Sequence, residues 1–116
     1  MGRSERTKGH NFEREIANRF KTVFEGARRH LEFQKEEAQA GVDISNTGRY
    51  KVQCKRGKRY APMTAIYEVE IDFIEGGCPI LVTQADRQPI LAVLPFEELL
   101  DLIRLKERML KKGYIK

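Results

Sequence analysis

The chain has 116 residues, 41% of them hydrophobic and 34% charged, with a formal net charge of +5, a composition that fits one folded domain around one core. No apolar run approaches the ~20 residues of a bilayer-spanning helix, and the opening MGRSERTKGH lacks the apolar stretch of a secretory signal, so no membrane contact and a cytoplasmic location are expected. Cys54 and Cys78 form neither a disulfide framework nor a CxxC metal pattern, which predicts reduced thiols with at least one buried.

Residues 1–116 are expected to form a single domain, with residues 1–9 as a mobile basic arm. A helix is predicted over about 11–24, where Phe12, Ile16, Phe20 and Phe24 recur every four residues. Asn11 is its expected N-cap, Glu13 and Glu15 suit the positive end of the dipole, and Gly26 ends it. A strand is predicted at about 28–33, followed by a polar loop. Residues 41–45 and 50–55 form two further strands joined by a turn of Asn46, Thr47 and Gly48. The second of these alternates, with Tyr50, Val52 and Cys54 toward the core and Lys51, Gln53 and Lys55 on the other side.

Pro62 with Met63, Ile66 and Val69 predicts a short helix over about 62–70, while residues 71–75 fit helix or strand. Pro79 to Thr83 is a predicted strand, residues 86–89 a turn, and Ile90 to Leu94 another strand. Pro95 with Glu97 and Glu98 opens a last helix, banded by Phe96, Leu99, Leu100 and Ile103. The order α-β-β-β-α-β-β-α predicts an α/β fold: a mixed β-sheet flanked by helices.

Charge is segregated along the chain. Residues 49–60 hold six cations and no acid, residues 104–116 six cations against Glu107, and residues 68–101 eight acids against Arg87. Such separation points to a cationic face for a polyanion, nucleic acid first, and an acidic face held away from it.

Phosphodiester hydrolysis needs carboxylate oxygens to hold a hard cation against the scissile phosphate, and a positive group beside the attacking water. Asp43 supplies one carboxylate, and Gln53 and Lys55, two apart on a strand, project from one face. A hairpin turn centred on Thr47 puts Asp43 opposite Lys51 and diagonal to Gln53, so that all four side chains share a face.

Gly41-Val42-Asp43, a hairpin, and then Val52-Gln53-Cys54-Lys55-Arg56 resemble the D-x(n)-(D/E/Q)-x-K core of PD-(D/E)xK nucleases. Lys8-Gly9-His10-Asn11-Phe12-Glu13-Arg14-Glu15 is similar to the first-helix motif of archaeal-type Holliday junction resolvases. The resemblance implies a restriction-endonuclease-like sheet, Mg²⁺ as cofactor with Mn²⁺ able to substitute, a homodimer, and branched DNA, a four-way junction, as substrate. It implies Glu13, Asp43, Gln53 and Lys55 as catalytic residues, with Asp43, Gln53, Glu13 and the Cys54 carbonyl as metal ligands. Gln53 departs from the usual acid and removes one negative charge. This Gln-x-Lys variant also resembles Mrr-type restriction nucleases.

Phosphate contacts are expected from Arg3, Arg6, Lys8, His10, Arg14, Lys51, Arg56, Lys58 and Arg59. The dimer contact is expected from the apolar later half: residues 80–82, 90–94 and 99–103. Each site residue also has an ordinary explanation: Asp43 as a turn-flanking carboxylate, Lys51 and Lys55 as a solvated strand face, and Glu13 as a dipole complement. Three ordinary explanations coinciding at three motif positions is the less economical reading. Another nuclease of the same chemistry, or a non-catalytic DNA-binding module, stands as the alternative to a junction resolvase.

Overall fold

A computed structural model describes residues 3–30, 42–68 and 76–115. In chain order the elements are α1 (Arg3–Phe20), β1 (Arg28–Arg29), β2 (Ile44–Ser45), β3 (Tyr50–Gly57), a 3₁₀ helix (Met63–Glu68), β4 (Cys78–Ala85), β5 (Leu91–Val93) and α2 (Phe96–Lys111). The predicted continuation of β1 to residue 33, the residue-41 start of the next strand, and residues 69–75 lie outside the described residues.

The first helix corrects two expectations. Residues 3–9 are not an arm but the opening turns of α1, because Arg, Glu and Lys are good helix formers and no proline interrupts them. Asn11 therefore sits mid-helix, where its side chain accepts a hydrogen bond from Arg14 at 3.1 Å instead of capping. The helix also stops earlier than its apolar stripe. The Thr22 hydroxyl donates to the Arg19 carbonyl at 2.7 Å, the Thr22 and Val23 amides bond to the carbonyls of Arg19 and Phe20, and the last turn tightens before Phe24.

The five strands form one sheet in the order β1-β2-β3-β4-β5. β3 and β4 run parallel from the Tyr50–Cys78 pair to the Gly57–Ala85 pair, and the other neighbours are antiparallel. The sheet is therefore mixed, as the element order predicts. A parallel pair needs a crossover connection, and the 3₁₀ helix lies in it. This segment is 3₁₀ where an α-helix is expected, with the Ala65 amide bonded to the Pro62 carbonyl at 2.9 Å.

Alternation along β3 gives each face its own apolar cluster. On one face Val52, with Tyr50 and Cys54, packs against Phe12, Ile16 and Ala17 of α1 and against Ile44 and Val82. On the other, Leu81 packs with Ala65 and Ile66 of the 3₁₀ helix and with Ala61 and Val93. Burying a side chain such as Phe12 or Ile16 contributes about 1.5–3 kcal/mol, so the apolar stripe fixes α1 across β2 and β3.

The β2–β3 turn places both Asn46 (φ 65°) and Gly48 (φ 62°) in the left-handed region, and a side chain at Gly48 would meet the Phe24 ring at 3.2 Å. Its register differs from the expected one. Ile44 pairs with Val52, so the turn centres on Gly48 and not Thr47, and Asp43 does not face Lys51. The side chain of Thr47 is the cause. It is buried and its hydroxyl donates to the Tyr50 carbonyl at 2.6 Å, which draws Thr47 into the base of the turn.

No helix among the described residues is long and apolar enough to cross a membrane. α2 is tied down at one end. The Glu98 carboxylate accepts hydrogen bonds from the Tyr50 hydroxyl at 2.7 Å and from Arg49, whose guanidinium also lies 4.9 Å from the Tyr50 ring centre. Its predicted apolar band of Phe96, Leu99 and Ile103 is largely exposed.

Candidate active site

Asp43 lies one residue before β2, where its amide donates to the Val52 carbonyl at 2.8 Å. Val52 is also the partner of Ile44, so two residues of one arm address one residue of the other, the arrangement of a β-bulge. A bulge re-aims a side chain, and here the Asp43 carboxylate accepts the Cys54 amide at 2.8 Å. The Asp43 carbonyl in turn accepts the His30 amide at 2.6 Å, which fastens the residue to the chain leaving β1.

Glu13 reaches the same place from α1. Its carboxyl is pushed up to about 7, first by burial and then by the nearby Asp43 charge, against the lowering effect of Arg29 and Arg14. Arg29 Nε lies 3.0 Å from Glu13 Oε2, but off the axis of a hydrogen bond, so the contact is an ion pair. The Cys54 thiol is pushed up by burial and then by the Asp43 and Glu13 charges, and it stays protonated. That argues against Cys54 as a thiolate nucleophile.

Gln53 and Lys55 flank the residue whose amide Asp43 holds. By alternation their side chains leave β3 on the side away from α1, where Gln53, 2% exposed, lies next to Leu81 under the 3₁₀ helix. Asp43, Gln53 and Lys55 each have further interactions beyond these. The structure thus joins Glu13, Asp43 and the Cys54 main chain on one side of β3, with Gln53 and Lys55 projecting from the other.

Among the described residues no group of three or more His, Cys, Asp or Glu side chains is placed to hold a metal ion. The donors on the α1 side of β3 are two carboxylates and main-chain carbonyls. In an extended strand the N–H and C=O of one residue point to one edge, so the Cys54 carbonyl is directed toward the edge on which its amide meets Asp43. An all-oxygen set suits a hard divalent cation, and a cation between Glu13 and Asp43 would offset both the burial of the Glu13 charge and its repulsion by Asp43. The residues present fit Mg²⁺ in that sense.

The expected phosphate contacts fall into groups. Arg3 and Arg6 lie in the first turns of α1. Lys58 and Arg59 are exposed just after β3, Lys51 reaches back to the Gly48 carbonyl at 3.5 Å, and Arg14 is exposed on α1. Lys8 and Arg56 converge on Asp86, at 3.3 and 2.7 Å, beside a cavity of about 750 Å³ lined by Lys8, Asn11, Arg56 and Gln84. His10 is half-buried on the same helix.

Sequence reasoning missed Arg29 and His30, which brace Glu13 and Asp43 from β1. Arg29 is an ordinary polar residue in a short strand and His30 follows it directly, and only the pairing of β1 with β2 reveals their neighbours. Comparison with protein-family models, curated proteins and solved structures finds no match to this chain.

Proposed function

We propose that this chain is a divalent-metal-dependent DNA endonuclease of the PD-(D/E)xK type, acting on four-way junctions as a two-fold dimer. One observation carries the reading. The Asp43 carboxylate accepts the Cys54 amide, between Gln53 and Lys55, and Glu13 is buried beside it with its carboxyl pushed up to about 7.

Glu13, Asp43 and the Cys54 carbonyl are the oxygens that would hold Mg²⁺, or Mn²⁺ in its place, while Gln53, expected among them, faces the other side of β3. When bound, the ion supplies neutralisation of the phosphate and a water of lowered pKa. The chain's own residues do the rest. Lys55, which leaves β3 from the opposite face, would reach past the strand edge to hold the attacking water by hydrogen bonding and to offset charge on the phosphoryl oxygens. Arg29 keeps the Glu13 carboxyl oriented, while Arg56, Lys58 and Arg59 carry the flanking phosphates without reading sequence. A dimer with two equivalent sites suits the paired symmetric nicks that a junction requires.

Labelled four-way junction, duplex, flap and single-stranded DNA, incubated with the chain and Mg²⁺, test the reading. Symmetric paired nicks on the junction, lost in Asp43→Ala and Lys55→Ala, are expected. Cutting confined to another substrate moves the chain to a different nuclease of the same chemistry. Binding without any cutting makes it a DNA-binding module and overturns the reading.

A further inference from the structure

The later half of the chain holds more apolar surface than its own core absorbs, at 99–103 as the sequence suggests but not at 80–82. Leu81 and Val82 are buried inside the protomer and Ile80 packs against the α1 cluster. The surplus is on α2. Phe96 is 67% exposed, Leu105 51%, Ile103 47%, Leu102 43% and Leu99 40%. Among the described residues α2 packs extensively against no other element, and its firm attachment is the Glu98 anchor in its first turn.

A helix of 16 residues is marginal alone in water, and one with a broad apolar face seeks a partner for that face. Its charge says which partner. The first turns carry Glu97, Glu98 and Asp101, and the second half carries Arg104, Lys106, Arg108 and Lys111 against Glu107. A helix acidic at one end and basic at the other is complementary to a copy of itself run in the opposite direction. Parallel pairing sets like charges together, and a polyanion would be repelled by the acidic half. Antiparallel pairing about a two-fold axis also sets each helix dipole against its opposite.

We propose that α2 is the seam of a homodimer, packed antiparallel against α2 of a second copy through Leu99, Leu102, Ile103 and Met109. The helix is about 24 Å long, and joining two such faces covers on the order of 1,000 Å² in total, the lower bound for a specific interface. This seam rests on the dimer proposed above and not on its chemistry, so its test uses mass and not cleavage.

Sedimentation equilibrium of the full chain at micromolar concentration is expected to give twice the 13.5 kDa protomer mass. Leu99→Glu with Ile103→Glu places charges on exposed positions outside both core clusters, and is expected to weaken dimerisation at least about a hundredfold with circular dichroism unchanged. Two charge variants fix the pairing. Glu97→Lys with Asp101→Lys makes the helix predominantly basic, and Arg104→Glu with Arg108→Glu and Lys111→Glu makes it predominantly acidic. Each is expected to be monomeric alone, and their mixture to form a one-to-one dimer. A monomeric wild type, a dimer indifferent to Leu99→Glu/Ile103→Glu, or charge variants that self-associate as well as wild type would overturn the seam. Loss of cleavage with an intact dimer would instead count against the nuclease reading.

Discussion

The Asp43 carboxylate accepts the main-chain amide of Cys54 at 2.8 Å, so an acid at a bulge takes a ladder position that a backbone carbonyl would otherwise fill. The bond aims the carboxylate along β3 and ties the end of β2 to the strand bearing Gln53 and Lys55. It also gives Asp43 a structural role beside its proposed chemical one.

The two roles separate by substitution. Asp43→Asn keeps an oxygen that can accept the Cys54 amide but removes the charge. It is expected to leave urea stability within about 1 kcal/mol of wild type and to abolish nicking. Asp43→Ala is expected to abolish nicking too and to cost about 1–3 kcal/mol, because a part-buried N–H loses its acceptor. Equal stability of the two variants would show that the amide does not depend on this oxygen.

Glu13 makes stability depend on pH with an unusual sign. Its carboxyl titrates near 7 in the folded chain and near the ordinary 4.5 when unfolded. Between those values the native state binds the extra proton, so stability falls as pH rises from about 4.5 to about 7 and levels off above. The fall is up to about 3 kcal/mol for a side chain only 19% exposed. Thermal melts in EDTA across that range should show the slope, and Glu13→Gln should remove it. Added Mg²⁺ is expected to raise the melting temperature more at pH 8 than at pH 6, where protons compete for the same oxygens.

How much of this was legible beforehand depends on range. Tyr50, Val52 and Cys54 declare their face by period-two alternation, and Phe12 and Ile16 declare theirs by helical spacing, because both signals are local. The mixed sheet follows from element order. The hairpin register was off by two residues because the buried Thr47 hydroxyl, not residue count, sets the turn. The start of α1 carries no local signal, because a polar amphiphile with one glycine reads as a tail until Phe12 and Ile16 anchor it. Arg29 beside Glu13 has no local signature, since β1 and α1 meet only through the tertiary fold. The exposure of Phe96 and Leu99 was likewise hidden, because apolar spacing reveals a face without saying what covers it.

Glu98 should be the residue on which α2 depends. It is 9% exposed and accepts from Tyr50 at 2.7 Å and from Arg49. Glu98→Ala is expected to cost about 1–3 kcal/mol, by leaving the Tyr50 hydroxyl without its acceptor and freeing the first turn of α2. Tyr50→Phe is expected to cost about 1 kcal/mol. The double variant should cost less than the sum, since both remove the same bond. Strict additivity in urea melts would mean that the two residues act independently.

Asp86 offers a test of how DNA is approached. The β4–β5 turn presents it, closed by the Gln88 amide on the Ala85 carbonyl at 3.1 Å and by Arg87 at a positive φ of 62°. There its carboxylate lies 2.7 Å from Arg56 and 3.3 Å from Lys8, on the rim of the cavity between α1 and the ends of β3 and β4. Hydrogen bonds from Arg56 and then Lys8 hold its carboxyl below the usual range, so it stays ionised at neutral pH. If the chain binds DNA as proposed, this anion between two cations stands in the place of a phosphate and the DNA has to compete with it. Asp86→Asn is therefore expected to tighten junction binding several-fold at moderate salt, and to steepen the salt dependence by about one to two counterions. Fluorescence anisotropy in EDTA, over a salt series, reads both quantities without cleavage. Weaker binding in Asp86→Asn would mean that the acid serves to hold Lys8 and Arg56 in place, and that the phosphate path lies elsewhere.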